Sequence, residues 1–212
     1  MDFEIIKPAD IEKRSFAIIT EELGDRVFPE EIGLVVKRVI HTSADFDYAD
    51  NLVFSEGAVP RALEAIRNGA HIVTDTNMVK AGINKKTLAK FGGEVHCFVA
   101  DADVAEEAKQ RGVTRSTVSM ERAAKLDVPV IFAIGNAPTA LIELDRLMRE
   151  RDLKPELIIG VPVGFVNVVE SKELILQSQA PHIVARGRKG GSNVAAAIVN
   201  ALLYQLVHRE GF

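Results

Sequence analysis

The chain has 212 residues, with 26 Lys and Arg against 30 Asp and Glu, so its formal net charge is -4. Apolar residues make up 47% and charged ones 26%, the balance of a soluble globular protein with room for one sizeable domain over residues 1–212 and not for two full ones. The acidity excludes a general nucleic-acid binder, and the one cysteine, Cys97, excludes a disulfide framework or a multi-thiolate metal site.

The first residues lack the basic start and long apolar core of a signal peptide, which predicts a soluble cytoplasmic protein without membrane contact. Ile11, Ser15, Ile18 and Ile19 share one face of a first helix that Pro8 can open and Gly24 can close. A second helix is predicted over 29–41, with Ile32, Val35, Val36, Val39 and Ile40 as its apolar stripe, and a third runs from Pro60 to Gly69. Strand and helix then alternate. The strands are predicted at 71–74, 94–99, 130–134, 157–159 and 183–185, and the helices at 85–90, 103–111, 116–126, 139–151, 171–177 and 192–207. The last helix lies in an uncharged stretch containing Ser192, Asn193, Asn200 and Gln205, which reads as a buried helix and not a membrane span. This alternation predicts an α/β fold, a single domain with a mostly parallel sheet covered by helices on both faces.

In an open parallel sheet ligands bind at the carboxyl ends of the strands, where loops and helix N-termini converge. Those ends carry Asn77 and Met78, then Gly135-Asn136-Ala137-Pro138-Thr139, Gly160-Val161-Pro162-Val163-Gly164-Phe165, and Arg186-Gly187-Arg188-Lys189-Gly190-Gly191-Ser192. The last segment joins a strand to a long helix, so backbone N–H groups and three cations can meet a carboxylate or phosphate there; a tightly packed glycine turn explains it equally. In the second, Pro138 suits the first helical position and Asn136 suits the cap, so capping alone accounts for it. Neither nucleotide fingerprint is present.

Among five histidines none pairs at the i, i+4 spacing of a helical metal site, so no metal is expected. His71, His96 and His182 read as packed or capping residues, and His208 lies in the C-terminal tail. His41 ends the second helix, where the dipole favours imidazolium, so it can either donate a proton or merely stabilise its own helix. Thr42 and Ser43 follow it and are placed to orient its ring. Asp45, Asp47 and Asp50 lack the remainder of a Ca²⁺ loop and read as a solvated acidic turn. Arg14, Ser15, Arg38, Arg115 and Ser116 are each ordinary surface or capping groups alone; together they can line a polyanion site in an acidic protein.

The chain resembles the precorrin-8X methylmutase family, also called cobalt-precorrin-8 methylmutases, of corrin-ring biosynthesis. The resemblance is carried by Ile11-Glu-Lys-Arg-Ser-Phe-Ala-Ile-Ile19, Arg38-Val-Ile-His41, Val113-Thr-Arg-Ser116, Ile134-Gly-Asn-Ala-Pro-Thr-Ala-Leu141, Gly160-Val-Pro-Val-Gly-Phe-Val166, Glu170-Ser-Lys172 and Arg186-Gly-Arg-Lys-Gly-Gly-Ser192. It implies a homodimeric α/β isomerase that moves a methyl group between adjacent ring carbons of a tetrapyrrole by an intramolecular [1,5]-sigmatropic shift, without cofactor or metal. It implies His41 as the catalytic proton donor and Ser15 and Arg38 as substrate-binding residues. The remaining substrate-binding assignments rest on the sheet-edge argument: Arg14, Thr42, Ser43, Asn77, Met78, Arg115, Ser116, Asn136, Pro138, Thr139, Val163, Gly164, Phe165, Arg186, Gly187, Arg188, Gly190 and Gly191. The other reading is a corrinoid carrier that binds without turnover.

Overall fold

In a computed structural model, which describes residues 6, 7 and 10–207, short apolar runs become strands and amphipathic runs become the helices that cover them. Helix α1 (Ile11–Leu23) leads to α2 (Glu30–Ser43), α3 (Tyr48–Asn51), β1 (Leu52–Phe54), α4 (Ala58–Arg67), β2 (His71–Thr74), α5 (Asn77–Gly82), α6 (Lys85–Ala89) and β3 (Val95–His96). Then follow α7 (Ala102–Arg111), α8 (Arg115–Ala123), β4 (Val130–Ile134), α9 (Pro138–Arg151), β5 (Leu157–Gly160), α10 (Val168–Gln177), β6 (His182–Ala185) and α11 (Ser192–Leu206). The sheet order is β1-β6-β5-β4-β2-β3, with β1 antiparallel to β6 and every other pair parallel.

Alternation along the strands divides the core. In β4, Ile131 and Ala133 join the side chains of α2, α4 and α11, while Val130, Phe132 and Ile134 join those of α8, α9 and α10. A strand buried on both faces must be apolar throughout, and all five β4 residues are buried. Nine residues of α11 are buried as well, as expected of a helix seated on the sheet. Among the described residues no helix is long and apolar enough to cross a membrane.

The structure departs from the sequence expectation in several places. The buried face of α1 is Phe16, Ile19 and Leu23, whereas Ile11 and Ile18 face outward, because Phe16 packs beneath the end of α2. Gly24 does cap that helix, and Pro8 and His208 lie outside the described residues. Helix α4 starts at Ala58, with Pro60 inside its first turn, where no backbone donor is missed. The strand expected over 94–99 shrinks to Val95–His96, because the chain turns at Phe98, whose carbonyl accepts from Asp101 N–H. Strand β1 and helices α3 and α5 were not expected; three to six residues are too few to display a period.

Helix α9 is capped from a distance. Its N-cap residue, Ala137, has no side-chain oxygen, and Asn136 does not serve as cap. Instead the carboxylate of Asp75, buried just beyond β2, accepts from the N–H groups of Gly135 (2.9 Å), Asn136 (2.8 Å) and Ala137 (2.6 Å). Burial raises the Asp75 pKa, and these three donors oppose that rise. Removing the acceptor strands the buried Gly135 amide and frees two part-buried ones, so Asp75→Ala is expected to cost about 1–3 kcal/mol in urea unfolding, with an unchanged m-value. A loss below about 0.5 kcal/mol would show that the turn does not depend on this carboxylate.

Candidate active site

His41 lies in the last turn of α2, which ends in a left-handed Ala44 whose N–H bonds back to Ile40 O. Its ring stacks on Phe16 of α1 at 5.4 Å between centroids. Arg38, one turn earlier and buried, places its guanidinium 4.7 Å from the Phe16 ring centre and 5.3 Å from that of Tyr204, and pairs with Glu12. Arg38, His41 and Thr42 line a pocket of about 270 Å³ with Gly82 and with Asn193, Ala196, Ala197, Asn200 and Tyr204 of α11. Burial lowers the His41 pKa and the charge of Arg38 lowers it further, while Glu12 opposes both. The helix dipole favours imidazolium; desolvation and the neighbouring cation act in the opposite direction and hold the pKa below 6.5.

Ser43 does not orient that ring, since its hydroxyl donates to Val39 O (2.7 Å) and accepts from Asp45 N–H (3.3 Å). The acidic turn that follows is not merely solvated. Asp45 and Asp47 each hold the Lys189 ammonium at 2.6 Å, and Asp50 pairs with Arg26. The glycine-rich loop after β6 is thereby tied to the end of α2. Its other anchor is Lys172, a fully buried residue of α10 whose ammonium donates to Gly187 O (2.7 Å) and Lys189 O (2.8 Å). The loop also presses on its neighbours. A Cβ on Gly190 would overlap the Val161 carbonyl, Gly191 N–H donates to Val161 O (2.9 Å), and a Cβ on Gly135 would lie 2.8 Å from Ser192 Cα.

The structure spreads the sequence-predicted residues along the carboxyl edge. Arg186, Arg188, Gly187, Asn77, Met78 and Asn136 are exposed there, and so are Val163 and Phe165. Arg188 stands over the Phe165 ring at 5.5 Å, and Gly164 N–H donates to Arg188 O (3.3 Å), which joins those two loops. Lys189, expected to add free positive charge, is spent on Asp45 and Asp47. Ser192 at the start of α11 bonds Thr76 (3.1 Å), and Asn193 folds over Gly191, so the helix end is partly covered. Ser15 donates to Ile11 O (3.0 Å), and Arg14 lies exposed on the same helix.

Thr139 accepts from Thr114 (3.2 Å) beside Arg115 and the buried Ser116, and Pro138 opens α9. A larger cleft of about 710 Å³ sits at the amino ends of β5 and β6, and none of the residues proposed from the motifs lines it. The sequence reading missed Glu12, Phe16, Tyr204 and Lys172 as partners of the site. Only their presence in the first and sixth motif regions or in the last helix hinted at them, since each acts through contacts far apart in the chain.

The sequence profile of the Precorrin-8X methylmutase family matches residues 10–205. The chain is 48% identical to the cobalt-precorrin-8 methylmutase of Priestia megaterium, over 93% of this chain and 88% of that protein. It is 46% identical to the cobalt-precorrin-8 methylmutase of Salmonella typhimurium, over 95% of this chain and 97% of that one. Its fold superposes on the crystal structure of precorrin-8X methylmutase from Thermus thermophilus with a TM-score of 0.86 at 38% identity, covering 94% of this chain and 98% of that chain.

The buried lysine gives this site a pH signature. Burial lowers the Lys172 pKa from 10.5 to about 8. Between these values the unfolded chain binds more protons than the folded one, so the lysine's contribution to stability is flat below about pH 8 and rises towards about 10.5. The stability of the wild type relative to Lys172→Met is therefore expected to increase between about pH 7.5 and about pH 10 in urea titrations. An unchanging difference would mean that the ammonium titrates normally.

Proposed function

The chain belongs to the precorrin-8X methylmutase family, a family of isomerases, and we propose how its residues carry out that rearrangement. The substrate is precorrin-8X or cobalt-precorrin-8, and the product is hydrogenobyrinic or cobyrinic acid. A methyl group migrates between adjacent ring carbons by a [1,5]-sigmatropic shift within one molecule, so no methyl donor is consumed. What the protein supplies is orientation of the ring and one proton, which is lent to the macrocycle and taken back because substrate and product are isomers. The observation that carries this reading is the placement of His41, clamped by Phe16 and beside Arg38, at the mouth of the α2–α11 groove.

A pocket of about 270 Å³ holds only part of a tetrapyrrole, so the ring extends beyond it. Met78, Val163 and Phe165, 72%, 46% and 83% exposed, are apolar groups on which it can lie. Carboxylates around the ring meet Arg38, Arg186 and Arg188, and at Arg38 they compete with Glu12 for the guanidinium. Each carboxylate that arrives near Arg38 offsets the charge that lowers the His41 pKa. The polyanion thus favours the protonated form of His41 in the complex relative to the free protein.

The exposed apolar group Val163, Phe165 and Val166 also supports a homodimer that covers this edge and completes the site. The relatives of 48% and 46% identity favour the cobalt-containing substrate. Incubation with each form of the substrate, followed by absorbance, tests the whole reading. Repeated turnover of the chromophore is expected, and a change limited to one equivalent would identify a carrier.

Two kinetic predictions follow from the geometry. His41→Asn is expected to bind product normally while kcat falls roughly 10²–10⁴-fold, the share of acid–base catalysis; near-normal turnover would reject the proton role. In the wild type, the basic limb of kcat is expected at a higher pKa than that of kcat/KM, since the former reports the complex and the latter the free enzyme. Coincident limbs would show that substrate does not retune His41. Arg38→Ala or Arg188→Ala is expected to weaken product binding by about 1–3 kcal/mol in calorimetric titration. Light scattering should return twice the chain mass.

A further inference from the structure

The sheet brings together three side chains that the reaction above does not use. His71 opens β2, and the parallel register Ile72↔Val95 and Val73↔His96 sets Glu94 and His96 on the same face of the neighbouring chain segment. The two imidazoles stack at 5.0 Å with planes 19° apart, and His71 Nδ1 lies 2.8 Å from His96 Nε2. A carboxylate oxygen of Glu94 completes a trio whose ligand atoms all lie within 4.8 Å of one another. Both rings are half-buried and Glu94 is exposed, so the backbone positions are fixed while the open side faces water.

We propose that His71, His96 and Glu94 form a binding site for a divalent transition-metal ion of the zinc class, which staples the edge strand β3 to β2. Two imidazole nitrogens and a carboxylate are ligands of the type that Zn²⁺ takes, with water in the fourth position. Tetrahedral coordination at about 2.0–2.1 Å places two nitrogens about 3.3 Å apart. The rings need open by only about half an ångström from their present 2.8 Å, exchanging a shared proton for the ion. Edge strand β3 gains most from such a link, since it has only two residues and pairs with one neighbour.

The charged groups facing His96 are His71 and Lys80, which oppose a cation, and Glu94, which favours it. Burial and the charges of His71 and Lys80 lower the His96 pKa. Phe98 stacks on the other side of His96 at 5.9 Å and restricts the ring's rotation.

The test is calorimetric titration of ZnCl₂ into tag-free, chelator-stripped protein near pH 7.5, with thermal unfolding read in parallel. One equivalent is expected to bind and to raise the unfolding temperature, with affinity falling as imidazole protons compete at lower pH. The double variant His71→Gln, His96→Gln is expected to lose at least roughly 10–100-fold in affinity and to show no thermal shift. Glu94→Gln, an exposed change that leaves the fold intact, should weaken binding by roughly tenfold or more. Methylmutase turnover should be unaffected in Glu94→Gln. Absence of stoichiometric binding by the wild type would overturn the proposal, as would equal affinity in the variants.

Discussion

The ammonium of Lys172, sealed beneath the carboxyl edge of the sheet, is the point from which the candidate site is hung. It holds the carbonyls of Gly187 and Lys189, and through them the course of the glycine-rich loop. The side chain of Lys189 then reaches outward to Asp45 and Asp47, which follow the C-terminus of α2. That helix end carries Arg38 and His41. A buried cation on α10 is thus linked through two hydrogen-bonded steps to the residue proposed to move the proton. A buried ammonium without such partners would be costly, so the loop and the lysine each require the other.

The same edge shows how an acidic protein can receive a polyanion. Net charge acts at long range and is screened over roughly 8–10 Å in physiological salt, whereas the groups lining the site act at contact. Of the cations at the edge, Lys189 is neutralised by two carboxylates and Arg38 is engaged by Glu12, while Arg186 and Arg188 remain exposed. The ion pairs therefore separate cations that shape the site from cations that face solvent. Composition counts them all alike.

Asp75 performs the complementary task with the opposite sign. Its carboxylate gathers the three amides that begin α9, so β2 and the β4–α9 turn keep a fixed spacing. Close approach of backbone to backbone does the rest: Gly190 against Val161 and Gly135 against Ser192 leave no room for a side chain. Polar groups buried in satisfied networks specify one arrangement of the loops, whereas the apolar layers beneath would tolerate several.

Much of the architecture was legible in the chain. Short apolar runs alternating with amphipathic stretches predicted the mostly parallel sheet with helices on both sides, because run length and period are local properties. His41 and Arg38 were legible through the motif and their one-turn spacing, which sets them on one helical face. The sequence did not show that Asp75, rather than Asn136, would cap α9, since that hydrogen bond spans about sixty positions. Nor did it show that Lys189 would face Asp45 and Asp47, or that His71 and His96, with no helical spacing between them, would meet across neighbouring strands. Strand β1 escaped because its three residues are a strand only through pairing with β6. The pKa direction at His41 also runs against the dipole argument, which took no account of burial or of the charge on Arg38. Periodicity and local chemistry determine the elements and their order; which charges meet, and which are desolvated, is decided only when distant segments pack, because electrostatic energy depends on distance and surroundings and not on position along the chain.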